Sequence, residues 1–107
     1  MVTVEMTDAN YKEMIANNHL VVVDSWAEWC APCRRSTPVF VEMSDKMANE
    51  KLIFAKLDTQ NNQDAASAFK ILSLPTFLVF KDGNLVNRWT GADIGRLRKE
   101  ISALKDM

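Results

Sequence analysis

The chain has 107 residues, enough for one domain that buries roughly two thirds of its unfolded surface. With 13 basic and 14 acidic side chains the net charge is −1, which leaves no electrostatic footprint for nucleic acid and no polybasic stretch for an anionic membrane. Apolar residues make up 48% and charged residues 25%, the balance of a soluble globular domain and not of a disordered segment.

No repeat, low-complexity tract or Pro/Gly/Ser linker divides the sequence, so residues 1–107 read as a single domain. The N-terminus lacks a basic stretch leading into an apolar one, so no secretory signal is expected. Val2 to Glu5 is a strand candidate. Thr7 or Asp8 can cap a helix that places Tyr11, Met14 and Ile15 on one face. No apolar run is longer than the four residues of Leu20 to Val23. That run is too short to span a bilayer but suited to a central strand buried on both faces.

Pro32 to about Ala48 predicts a helix with Phe40, Met43 and Met47 along one side, and Pro38 within it removes a backbone donor and should kink it. Leu52 to Leu57 predicts a strand and Asp64 to Phe69 a helix. Thr76 to Phe80 and Leu85 to Trp89 predict two strands joined at Asp82-Gly83, a dipeptide suited to a tight hairpin. Ile94, Leu97, Ile101 and Leu104 form the apolar stripe of a last helix. The order β-α-β-α-β-α-β-β-α implies an α/β domain, with helices on both faces of a mixed sheet.

The two cysteines, Cys30 and Cys33, carry the chemistry. Disulfide scaffolds use more cysteines at wider spacing. Zinc needs about four ligands, and beyond this pair the chain offers one histidine, His19. The pair leaves a buried strand and enters a helix at Pro32, a residue favoured in a first turn. Cysteines at i and i+3 there can close a small ring, and Cys30 at the helix N-terminus meets free N–H groups that favour a thiolate. A thiolate attacks disulfides at neutral pH, and Cys33, one turn deeper and expected to be better shielded, can resolve the mixed disulfide.

The segment Trp26-Ala27-Glu28-Trp29-Cys30-Ala31-Pro32-Cys33 resembles the active-site segment of the thioredoxin family, normally Trp-Cys-Gly-Pro-Cys after a strand that ends in aspartate. Leu74-Pro75-Thr76 resembles the family's cis-proline loop, Phe80-Lys81-Asp82-Gly83 its hairpin and Thr90-Gly91-Ala92 its glycine turn, and the likeness spans essentially the whole chain. The resemblance implies the thioredoxin fold, a central mixed five-stranded sheet flanked by four helices. It also implies protein-disulfide reduction with Cys30 as nucleophile and Cys33 as resolving thiol. It makes Asp24 a proton relay to Cys33 through water, with Lys56 near it. Trp29, Ala31, Pro32, Leu74, Pro75 and Gly91 become the substrate-binding surface. No bound cofactor is implied, since the cysteine pair stores two electrons. The implied partners are disulfide-containing client proteins and a thioredoxin-reductase-type electron donor, for a monomer in the cytoplasm.

The sequence departs from that pattern at four places. Ala31 replaces glycine between the cysteines, and Ala31-Pro32 offers no donor to stabilise the thiolate as in oxidising relatives, so a reductant is expected. Ser25 stands where an aromatic is common, and Thr90 where an aliphatic is usual. Arg34 and Arg35 follow Cys33 directly, and Arg34 lies one turn from Cys30, where it could stabilise the thiolate or select acidic substrates; both could equally be solvated helix residues. Two other readings remain open: a reductase dedicated to one narrow client, and a binding or assembly module whose redox pair is incidental.

Overall fold

The β-branched run that begins at Leu20 forms the middle of the sheet. In the computed structural model, which describes residues 2–107, strand β2 (Leu20–Trp26) is bonded on both edges. It runs parallel to β3 (Leu52–Asp58) and antiparallel to β4 (Thr76–Lys81). β1 (Thr3–Met6) joins β3 in parallel and β5 (Asn84–Thr90) closes the other side against β4, giving the order β1-β3-β2-β4-β5. Leu20 through Ser25 are all buried, as a strand covered on both faces requires.

Alternation along β2 sorts its side chains between two cores. Leu20 and Val22 join Phe40, Phe54, Phe77, Leu97 and Ile101, beneath α2 (Ala31–Met47) and α4 (Ile94–Ser102). Val21 and Val23 join Met6, Leu57, Ala65 and Phe80 on the other face, under α1 (Tyr11–Ala16) and α3 (Gln63–Ala68). Phe40 lies edge-on to Phe54 at 5.2 Å between ring centroids, and Phe77 stacks on Trp89 at 5.3 Å. Each such fully buried phenyl contributes roughly 1.5–3 kcal/mol by area removed from water. The expected mixed five-stranded sheet with four helices is the one observed; Leu104 lies in a 3-10 turn (Ala103–Asp106) that continues α4, still buried.

The start of the first helix differs from the sequence reading. Thr7 Oγ1 accepts from the Asn10 N–H (3.2 Å) while Asn10 Oδ1 accepts from the Thr7 N–H (2.7 Å). This reciprocal turn delays α1 to Tyr11 and leaves Asn10 as its cap residue. Asp8 serves another helix instead: its Oδ1 accepts from the Ala65 N–H in the first turn of α3 (2.8 Å). At the hairpin, Asp82 (φ 51°) and Gly83 (φ 88°) both take the left-handed conformation, which matches the twist of β4 and β5. α2 continues through Pro38 to Met47, with the proline on its exposed side. The end of β2, the start of α2, the start of β4 and the end of β5 meet at one end of the sheet.

Candidate active site

Beyond Trp26 the chain turns through residues 27–29 and enters α2 with Cys30 as its cap residue. The Cys30 Sγ accepts from the Cys33 N–H at 3.2 Å, so one of the helix's free donors points at that sulfur. The structure holds the pair as the Cys30–Cys33 disulfide, with Cα atoms 5.3 Å apart, inside the normal range for a bridge. Cys30 is 3% exposed and Cys33 2%. The expected better shielding of Cys33 is therefore absent in this oxidised form, where the two side chains are buried alike. Trp29, by contrast, is 68% exposed beside them.

The facing wall comes from distant sequence. The Leu74–Pro75 peptide is cis, and Leu74 packs against the cluster of Ala27, Cys30 and Cys33. The Gly91 N–H donates to the Pro75 carbonyl at 2.9 Å, from a residue at φ 96° that suits glycine. Ala31 is exposed and Pro32 half-buried in the first turn of α2. Trp29, Ala31, Pro32, Leu74, Pro75 and Gly91 thus come from the three segments that border the disulfide.

Behind the pair, Asp24 is completely buried in β2. Its Oδ2 accepts from the Thr37 hydroxyl at 2.8 Å, and its Oδ1 has no hydrogen-bond partner among the described residues. Burial pushes its pKa up from 3.8 to about 6, against the opposing pull of the Thr37 hydrogen bond and the Lys56 charge. Lys56 is the register partner of Asp24 on β3, and its ammonium lies 5.0 Å from the centroid of the Trp26 ring. A cavity of about 320 Å³ opens on this side, bounded by Trp26, Cys33, Arg34, Thr37, Pro38 and Lys56.

Sequence reasoning missed two side chains of the site. Thr37 follows Cys33 by one helical turn and precedes Phe40 by another, a spacing that marks the inner face of α2 and could have found it. Thr59 fixes the end of β2 by donating both its N–H (2.9 Å) and its hydroxyl (3.0 Å) to the Trp26 carbonyl. Arg34 donates to the Glu28 carbonyl at 3.1 Å, tying α2 to the loop that carries Trp29. Arg35 is exposed on α2.

The family model for thioredoxin matches residues 2–103. The chain belongs to the thioredoxin family. Its relatives include thioredoxins from Mycobacterium tuberculosis, 41% identical over 91 residues (84% of this chain and 78% of that one), and from Alicyclobacillus acidocaldarius, 40% identical over 89 residues (83% and 84%). A bifunctional thioredoxin reductase/thioredoxin from Mycobacterium leprae is 40% identical over 92 residues, 85% of this chain and 20% of that one. Among solved structures, Plasmodium falciparum thioredoxin superposes with a TM-score of 0.88 at 34% identity, covering 94% of this chain and 98% of that one. Family membership together with the Cys30–Cys33 bridge makes the chain a thiol–disulfide oxidoreductase that reduces protein disulfides. Thioredoxin chemistry of this kind works between disulfide-bearing client proteins and a reductase that restores the dithiol.

Proposed function

We propose that this single domain is a general electron donor to client disulfides, acting as a monomer in the cytosol, with Cys30 as nucleophile, Cys33 as resolving thiol and Asp24 as proton acceptor. In the reduced protein the Cys30 thiolate attacks one client sulfur, and the client disulfide breaks as a Cys30–client bond forms. The displaced client sulfur leaves as a thiolate and takes up a proton. Asp24 then receives the Cys33 proton through water. The Cys33 thiolate attacks the Cys30 sulfur, closing the Cys30–Cys33 disulfide and expelling the second client sulfur as a thiolate that takes up a proton. Two electrons pass to the client and the protein ends oxidised.

The observation that carries this assignment is the placement of the Cys30 sulfur on the α2 N-terminus, where the Cys33 N–H already donates to it. That donor stabilises negative charge on Cys30 ahead of Cys33. Trp29, Ala31 and Pro32 adjoin the cysteines in sequence, Leu74 packs against them, and Pro75 and Gly91 are joined to each other beside Leu74. They form the surface on which an extended client segment lies, pairing along the backbone at Leu74 as an added strand would. Lys56 steadies the ionised Asp24 from the neighbouring strand. A dedicated reductase recharges the pair, as the fused name of the Mycobacterium leprae relative suggests for its two activities. Every group in this scheme comes from one chain, which supports action as a monomer, and both cysteines of the sequence are consumed by the redox pair, which suits a reducing compartment.

Equilibration with dithiothreitol buffers, read by the fluorescence of Trp26 and Trp29, tests the assignment. A two-electron transition near about −270 mV marks an electron donor, whereas a value near about −120 mV marks an oxidant and overturns it.

A further inference from the structure

Two cations share the cavity beside Cys33, and neither is neutralised by an ion pair among the described residues. Arg34, on the first turns of α2, spends one guanidinium donor on the neutral Glu28 carbonyl (3.1 Å), which fixes its head at the cavity rim with further N–H groups free. Lys56, on β3, lines the same cavity, its ammonium held over the face of Trp26 at 5.0 Å. Two carboxylates are near: Glu28, exposed on the same rim, and Asp24, buried beneath and held by Thr37. Trp26, Ala27 and Pro38 give the cavity an apolar part of its lining.

A pocket lined both by apolar side chains and by two cations fits a side chain with a methylene stem and a terminal carboxylate. We propose that this cavity receives a glutamate of the client protein, so that the chain favours disulfides with a glutamate near the attacked cysteine. The proposal rests on the reductase reading above and names the substrate class for it. Arg34 is then a specificity-determining residue, since its guanidinium meets the client carboxylate, and its bond to Glu28 holds the loop so that Trp29 and the cavity rim present together. Glutamate outranks aspartate because its longer stem covers more of the apolar lining from Trp26 and Pro38.

The test uses disulfide peptides that differ only in carrying Glu or Gln, placed in turn at each position flanking the attacked cysteine. The reduced full-length chain is mixed with each, and Trp fluorescence gives the second-order rate. Two partly exposed charge pairs are expected to favour the Glu peptide by about fivefold or more at low salt in at least one position. That ratio should fall to within about twofold in Arg34→Gln, return in large part in Arg34→Lys, and shrink for the unmodified chain as salt rises. A Glu-to-Gln ratio near one at every position overturns the proposal. So does a ratio that Arg34→Gln leaves intact, including the case where both peptides slow equally, which would reduce Arg34 to a loop clamp. Failure to reduce any peptide overturns the reductase reading instead.

Discussion

Asp24→Asn should stabilise the protein, and only above acid pH. Asp24 is buried with one oxygen on Thr37 and the other without a partner among the described residues, and its pKa is raised from 3.8 to about 6, chiefly by burial. Between those values the folded chain keeps a proton that the unfolded chain has lost, so stability falls as pH rises. The contribution of Asp24 is complete below pH 3.8, drains away through about pH 6 and stays lost above it. At about 1.4 kcal/mol per pH unit, the gap corresponds to about 3 kcal/mol, a sizeable part of the 5–15 kcal/mol that holds a small domain together. Asparagine keeps the shape and still accepts from Thr37 through its amide oxygen, but it carries no charge at any pH.

The assay is urea unfolding of the oxidised protein and of Asp24→Asn, followed by Trp fluorescence from about pH 3.5 to about pH 8. Other titrating groups are common to both proteins and cancel in the difference. The variant's advantage should be small at the acid end, grow through the interval from about pH 4 to about pH 6, and level off near about 3 kcal/mol. A difference that stays flat across the range, or one that favours the unmodified protein at high pH, would refute the buried-charge argument.

Further outcomes follow from the same geometry. Cys33→Ser should accumulate a covalent adduct of Cys30 with a client peptide, one per chain by mass spectrometry, while Cys30→Ser should form none and reduce nothing above blank. Thr37→Val removes the hydrogen bond that lowers the Asp24 pKa and should raise it by about one pH unit, read from the carboxyl signal by carbon NMR. His19 lies 2.8 Å from Asp82 Oδ1 and 3.0 Å from the Met107 carbonyl, contacts that hold its pKa above 6.5. Its proton NMR titration should show this, and any stability that His19→Gln removes should be present below 6.5 and vanish as pH rises through the raised value. Gly91→Ala meets no steric obstacle but forces an alanine to φ 96°, which should cost about 1–2 kcal/mol in urea melts.

The readable parts of the sequence were those where local pattern and tertiary role coincide. Leu20 to Val23 is apolar at every position because β2 is covered on both faces, so its central place could be seen directly. Asp82-Gly83 could be read because two left-handed residues leave few alternatives. Thr7 and Asp8 misled because a cap is a preference that any nearby donor can satisfy: one closed a turn with Asn10, and the other capped α3 from 57 residues away. The role of His19 had no local sign because its partners, Asp82 and Met107, are 63 and 88 residues distant. Arg34 was visible as a charge one turn from Cys30, but its bond to the Glu28 carbonyl depends on how the loop of residues 27–29 folds back.

Asp24 also shows where consistency between levels gives way. A valine there would continue the apolar strand and spare the fold a charge whose Oδ1 finds no partner among the described residues. The surroundings soften that cost only in part, with one hydroxyl from Thr37 and the distant charge of Lys56. Full satisfaction would defeat the proposed role, because a carboxylate with several donors titrates far below neutral pH and no longer takes up a proton. Thr37 and Cys33 line the same cavity, so the under-satisfied acid sits behind the thiol whose proton must leave. The destabilising charge and the relay are therefore one property: removing Asp24 should give a more stable protein whose resolving step lacks its base.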